Sequence, residues 1–259
     1  MALTRRWMLG AGAAAGLWGQ GDPRADEIRL VSFAPSPYTQ RLDSLRAGVA
    51  LVRRIRAHVA AIERKTRVTM LDGTKRLGTK QVKAIFTPAP KVLLLGSSTW
   101  GQGSNKYIRE LFEHTDGVSL IGVKASTWVT SGGAHTGGEM VSMDTQRSLQ
   151  GLGAAVFTLG QKQMVLTTDE FVDGRKPGEF SLQDVWYLDQ FARMIVIQSV
   201  ESHEAAALAA KLGFEAAYYH RFPLRQEAFP EELRELHAWL SKAAGPRSAE
   251  RSELLRELR

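Results

Sequence analysis

KVLLLGSSTWGQGSNKYIRELFE, residues 91–113, combines an apolar run, a polar segment and a helical pattern, in that order. Its four consecutive apolar residues, closed by Gly96, predict a strand that is buried on both faces of a parallel sheet. Residues 97–103 are polar and glycine-containing with one aromatic, Trp100, so we expect a loop there. Apolar residues at helical spacing follow, with Ser104 as the expected N-cap. This order places the loop at the carboxyl end of a strand, where open α/β sheets bind ligands.

The remaining apolar segments predict further strands separated by helices. We expect strands at 27–33, 67–71 and 124–130 and a fifth within 154–166, and helices at 41–64, 139–152 and 181–200. Residues 72–90 form a turn-rich connection to which no element is assigned. Strands that alternate with helices indicate an α/β architecture with helices on both faces of a parallel sheet.

A helical C-terminal extension follows the predicted sheet domain. Residues 201–259 contain helical patterns at 204–212, after Pro230, and at 249–258. Such a tail usually packs on its own domain. The alternative is that it mediates a homo-oligomer.

Two polar segments carry a resemblance to a known family. GSSTWGQGS, residues 96–104, resembles the loop after the third strand of flavodoxin-like proteins, in which the Trp lies against the isoalloxazine ring of FMN. TSGGAHTGGE, residues 130–139, resembles the glycine-rich loop of the tryptophan-repressor-binding-protein type of NAD(P)H:quinone oxidoreductase. The resemblance implies a flavodoxin-like, doubly wound, five-stranded parallel sheet of strand order 2-1-3-4-5 over residues 27–200.

The same resemblance implies that three loops hold FMN. They contribute Ser36, Tyr38, Thr39, Gln40 and Arg41 at the phosphate, then Ser98, Thr99, Trp100, Gly101 and Gln102, then Ser131, Gly132, Gly133, His135, Thr136, Gly137 and Gly138. The first loop departs from the family pattern, since Thr39 stands where glycine is usual and Pro37 lacks an N–H donor. Arg41 can compensate by pairing with the phosphate. No side chain is assigned a catalytic acid or base role.

Composition excludes several classes of site. The 259 residues include no cysteine, which excludes disulfides, thiolate catalysis and sulfur-ligated metals. The six histidines show no paired metal-ligand spacing, so no metal site is expected. No apolar run is long enough for a transmembrane segment.

Residues 41–83 hold an unusual excess of positive charge. They contain twelve Arg and Lys against three acids, an excess larger than the net charge of +7 of the whole chain. Such a segment is more often a solvated face than a site for an anionic partner. Because no aromatic residues alternate with the basic ones, we expect no nucleic-acid partner.

Residues 1–26 have the pattern of an export signal. Thr4, Arg5 and Arg6 precede an apolar, glycine- and alanine-rich segment, and they resemble the twin-arginine motif. That pathway carries proteins already folded, usually around a cofactor, so a periplasmic or exported flavoprotein is expected. The alternative is an ordinary amphipathic N-terminus.

Three functions remain open on the sequence. The first is an FMN-dependent oxidoreductase that passes electrons from NAD(P)H to a quinone-like acceptor. The second is a one-electron carrier that serves a redox protein, although such carriers are usually acidic and the pI here is near 9.8. The third is a flavodoxin-like module without flavin, which Pro37 and Thr39 motivate.

Overall fold

The computed structural model describes residues 25–33, 42–73, 79–100, 103–132, 137–159, 163–167, 180–214, 229–242 and 247–258. Strands and helices alternate through the first two thirds of this part, and helices alone follow. The elements are β1 Ala25–Phe33, α1 Asp43–Ala61, β2 Arg67–Asp72, α2 Thr79–Phe86, β3 Pro90–Trp100, β4 Gly103–Ser104, α3 Lys106–Glu113, β5 Lys124–Ser131, α4 Gly138–Gly151, β6 Ala155–Val156, β7 Val165–Thr167, α5 Leu182–Gln198, α6 Ser202–Lys211, α7 Glu231–Leu240 and α8 Arg247–Arg256.

The strands form one parallel sheet in the order β2-β1-β3-β5-β6, and the short β4 pairs antiparallel with the end of β3. With β4 set aside, this is the predicted 2-1-3-4-5 order, which is confirmed. The fifth strand is divided. β6 pairs with the start of β5 and β7 pairs with its end, both parallel.

Two local predictions were wrong, and a segment without an assigned element contains a helix. The strand β3 does not end at Gly96 but continues through Trp100, because its backbone pairs with β1, β5 and then β4. Ser104 belongs to β4, and the N-cap of α3 is Asn105, whose side chain accepts a hydrogen bond of 2.9 Å from the Tyr107 N–H. The 72–90 connection contains the helix α2, which buries Val82, Ile85 and Phe86.

The sheet separates two apolar cores. One core lies under α1 and α5 and includes Leu30, Leu94, Trp128 and Phe191. The other lies under α2, α3 and α4 and is centred on residues that alternate with the first set, such as Leu93 and Leu95. Both faces of the central strands are therefore covered, as the continuous apolar run in β3 requires.

The C-terminal helices pack on the same chain. α7 contacts α5 and α1, and α8 contacts α1. Within the described ranges, no helix is both long enough and apolar enough to cross a membrane.

Arginines of the basic segment pair with acids from distant parts of the chain. The ion pairs are Arg46–Glu250, Arg53–Glu257, Arg54–Asp189, Arg64–Glu204 and Arg67–Glu27. Three of these acids lie beyond residue 200: Glu204 in α6, Glu250 in α8 and Glu257 directly after α8. Most of the positive charge on α1 is therefore neutralised by acidic residues of the same chain. This neutralisation was not predicted from the sequence.

Asp189 is the most completely buried of these partners. Its carboxylate accepts hydrogen bonds from Arg54 Nε at 2.6 Å, from His58 Nε2 at 2.8 Å and from Arg193 Nε at 2.9 Å. Burial alone would raise the pKa of Asp189, but the His58 hydrogen bond and the two arginine charges outweigh it and lower the pKa from 3.8 to about 2. This cluster fixes α1 against α5.

Candidate functional site

The three predicted loops leave the sheet at one edge. In the parallel register, Phe33 at the end of β1 lies beside Ser97 of β3, and Ser98 lies beside Thr130 of β5. The carboxyl ends of β1, β3 and β5 therefore meet, as they must in a parallel sheet. A ligand at this edge could contact all three loops.

Most predicted site residues lie outside the described residues. These are Ser36, Tyr38, Thr39, Gln40, Arg41, Gly101, Gln102, Gly133, His135 and Thr136. For Trp100 the structure describes the backbone, at the end of β3, and the side chain lies outside the described part. The described members are Ser98, Thr99, Ser131, Gly132, Gly137 and Gly138, all at the ends of β3 and β5 or at the start of α4.

Trp128 fixes the sheet to the N-terminal part of α1. Its indole lies between two glycines, since a Cβ on Gly96 of β3 would be 2.0 Å from Trp128 Cε2 and a Cβ on Gly48 of α1 would be 2.9 Å from Cζ2. The indole N–H donates to the Ser44 carbonyl at 3.1 Å. The absence of two side chains thus lets the first turns of α1 lie close to the sheet.

The first turn of α1 begins after a residue whose side chain cannot cap it. Leu42 stands at the N-cap position and makes no capping hydrogen bond. Ser44 Oγ lies 3.4 Å from Ser32 Oγ of β1, which places this turn over the carboxyl end of β1. The dipole of α1 creates a positive field at this turn, which favours an anionic group, and the Asp43 carboxylate in the same turn partly offsets that field.

Two hydroxyls at the carboxyl ends of β3 and β5 have no hydrogen-bond partner among the described residues. Ser98 Oγ and Thr130 Oγ1 are both buried, and Thr130 as a whole is 3% exposed. Ser98 and Thr130 are paired in the register of β3 and β5, two residues beyond the Gly96–Trp128 pair. Because side chains alternate between the two faces of a sheet, Ser98 and Thr130 lie on the α1 face, as Trp128 does. A buried hydroxyl without a partner costs free energy, and a ligand with polar atoms would satisfy both.

The glycines at and just before the start of α4 differ in the structural reason that excludes a side chain. Gly137 has φ +76, a left-handed conformation that other residues rarely adopt. A Cβ on Gly138 would lie 2.6 Å from Val165 Cγ1 of β7, so helix–strand packing excludes a side chain there. Gly132 is exposed, and a Cβ there would meet nothing within 4 Å. Of the described glycines in this loop, Gly132 alone has neither requirement and borders open space.

Thr130 was not predicted as a site residue, and Trp128 was not predicted as the residue that positions α1. Thr130 was assigned to the end of the predicted strand. The available signal was the pair of hydroxyl residues Thr130 and Ser131 that follows Trp128 and Val129 at the carboxyl end of a central strand.

No protein-family model matches the chain, and no curated protein sequence matches it. Among solved structures, oxidised flavodoxin 1 from Bacillus cereus is similar at 16% identity, over 68% of this chain and 99% of that one, with a TM-score of 0.45. The flavodiiron protein from Giardia intestinalis is 17% identical over 79% of this chain and 42% of that one, with a TM-score of 0.49. The WrbA-like flavodoxin from Agrobacterium tumefaciens is 10% identical over 67% and 96%, with a TM-score of 0.47.

At such identities these likenesses concern the fold alone and carry no argument about ligands. The strand order, the parallel pairing and the helices on both faces are those of the expected architecture. The chain has a flavodoxin-like α/β fold followed by C-terminal helices.

Proposed function

We propose that this chain binds FMN at the carboxyl edge of the sheet and acts as an oxidoreductase that transfers electrons from NAD(P)H to a quinone-like acceptor. The observation that carries the proposal is the pair of buried, unpartnered hydroxyls of Ser98 and Thr130, which lie between the second and third loops. Bound FMN would supply the redox chemistry by accepting hydride from NAD(P)H and passing the electrons on.

The chain's own residues would bind and orient the cofactor. The first turn of α1 and the first-loop residues Ser36, Tyr38, Thr39, Gln40 and Arg41 would hold the phosphate. The hydroxyls of Ser98 and Thr130 would bond to polar atoms of the ring system. Trp100 would supply an aromatic surface, and Gly132 and its neighbours would let the backbone come close to a flat ring.

The net charge of +7 supports the enzyme over an acidic type of electron carrier, because NAD(P)H is itself an anion. The twin-arginine-like residues 1–26 support the export of the folded flavoprotein to the periplasm.

The decisive variant is Thr130→Val, which replaces the hydroxyl with a methyl group of similar size. If the hydroxyl serves a ligand, the flavin-free variant will be more stable than the wild type by about 1 kcal/mol, because an unsatisfied buried group is removed. The same variant will bind FMN about tenfold more weakly, because one hydrogen bond to the cofactor is lost. Urea unfolding and a fluorescence titration with FMN measure the two effects.

Thr127→Val is the matched control on the same strand. Its hydroxyl lies 2.6 Å from Ser142 Oγ and accepts from Gln146 Nε2 at 3.2 Å, on the opposite face of the sheet. This variant should lose stability and keep its FMN affinity.

A wild-type protein that takes up no FMN would eliminate the proposal. Consumption of NADH or NADPH with a quinone then separates the oxidoreductase from a carrier, which should not oxidise either nucleotide.

A further inference from the structure

The last helix, α8, packs against the N-terminal part of α1. This end of α1 lies at the carboxyl edge of the sheet. Leu254 of α8 is buried in one apolar cluster with Leu42, Leu45 and Val49 of α1 and its N-cap. The C-terminal extension therefore reaches the first turn of α1, which is the turn that the proposed function assigns to a phosphate.

Arg46, in the first turn of α1, is held by the last two helices, α7 and α8. Its Nε forms an ion pair of 2.6 Å with Glu250 of α8, and the two side chains are 9% and 6% exposed. Its Nη1 donates to the carbonyl of Leu240 at 3.0 Å, at the end of α7, and to the carbonyl of Lys242 at 2.6 Å. The Arg46–Glu250 contact is a charge contact without hydrogen-bond geometry, so the two carbonyl hydrogen bonds fix the direction of the Arg46 side chain, and Glu250 supplies the counter-charge.

α8 also binds the neighbouring strand end. Arg251 forms an ion pair with Asp72 at the end of β2. The next residue, Gly73, donates its N–H to the Ser32 carbonyl of β1 at 2.7 Å. Since Ser32 is also next to Ser44 of α1, the helix α8 supports the carboxyl ends of β1 and β2 and the start of α1 together.

We propose that Arg46 and Glu250 are positioning residues for the phosphate end of the FMN site, so that the C-terminal extension is a part of the cofactor site. This inference rests on the proposed function. Glu250 compensates the charge of Arg46, and the pair acts by holding the first turn of α1 in place rather than by touching the phosphate. FMN affinity should then depend on α8, whereas the affinity for riboflavin, which has the same ring without the phosphate, should not.

Two variants test the dependence, one with a change in charge and one without. Glu250→Gln breaks the ion pair, and Leu254→Ala removes the apolar contact of α8 and leaves every charge in place. Each should raise the Kd of FMN about tenfold and change the Kd of riboflavin by less than about twofold, because preorganisation is lost only at the phosphate. The readout is a fluorescence titration with both flavins, after circular dichroism has shown that each variant is folded.

Glu257→Gln is the matched control. It breaks the Arg53–Glu257 ion pair, which also joins α1 to the end of the chain but lies about two turns further along α1. The ratio of the two flavin affinities should stay at the wild-type value. Equal weakening of both flavins in Glu250→Gln, or tighter FMN binding, would overturn the positioning role while leaving FMN binding established. A wild-type chain that binds neither flavin would overturn the proposed function and this inference with it.

Amide hydrogen exchange on the unaltered protein tests the inference even if the variants fail to fold. FMN should slow exchange in the first turn of α1 and in α8, and riboflavin should not. Protection by FMN that excludes α8 would refute the inference.

Discussion

The substitution Gly96→Ala tests how the sheet positions α1. A Cβ at this position would lie 2.0 Å from Trp128 Cε2 and Cζ2 and 2.6 Å from Cη2, whereas ordinary contacts begin near 3.4 Å. The indole cannot move away, because Gly48 of α1 closes the other side. Either the indole rotates and breaks its hydrogen bond to Ser44, or α1 moves away from the sheet.

The cost follows from these two effects. Overpacking of a buried site costs about 1–3 kcal/mol, and loss of the Trp128–Ser44 hydrogen bond adds about 1 kcal/mol. We expect the free energy of unfolding to fall by about 3 kcal/mol. Urea unfolding followed by circular dichroism measures this change, and near-ultraviolet circular dichroism reports the environment of Trp128.

Gly151→Ala is the control, because a Cβ there would meet nothing within 4 Å. It should change the free energy of unfolding by less than about 1 kcal/mol. If Gly96→Ala were within about 0.5 kcal/mol of the wild type, with its near-ultraviolet spectrum unchanged, the close packing of Trp128 between β3 and α1 would be refuted.

Three further predictions concern the buried charges and the proposed export signal. Asp189→Asn leaves the basic partners of Asp189 without a counter-charge. The free energy of unfolding, measured with urea, should fall by about 3 kcal/mol, and a fall of less than about 1 kcal/mol would show that the cluster does not stabilise the fold. The wild type should lose stability as the pH falls from 4.5 to about 2. The stabilisation by Glu27 and Asp189 is fully present above their ordinary pKa values of 4.5 and 3.8 and is lost as the pH falls to their folded pKa values of about 2, so flat stability over that range would contradict this. Replacement of Arg5 and Arg6 by Lys should retain a reporter fused after residue 26 in the cytoplasm, as cell fractionation would show, and unchanged export would exclude the twin-arginine route.

The sheet was predictable because its strands have a local signature. The apolar run of β3, residues 92–95, is continuous, as a parallel strand buried on both faces requires. The strands β1 and β5 are mainly buried but also contain polar residues such as Arg29, Ser126 and Thr127. The end of β3 was not predictable in the same way. Beyond Gly96 its residues are polar, and they stay in the strand because their backbone groups pair with two neighbouring strands and then with β4. That pairing depends on distant segments.

The helix α2 and the ion pairs were missed for other physical reasons. α2 has eight residues and three buried apolar side chains, which is too short for a clear helical period. The pairs Arg54–Asp189 and Arg46–Glu250 join residues far apart in the chain, so the sequence shows an excess of charge but not its compensation. Thr130 was missed because only the tertiary structure shows that its hydroxyl is buried without a partner.

A crystal structure of the full chain with FMN would show whether the flavin binds at the carboxyl edge of the sheet. We expect the isoalloxazine ring at the carboxyl ends of β3 and β5, with the hydroxyls of Ser98 and Thr130 bonded to its polar atoms and the phosphate at the first turn of α1. A flavin bound elsewhere on the molecule, or both hydroxyls satisfied by the protein itself with no flavin at this edge, would contradict it.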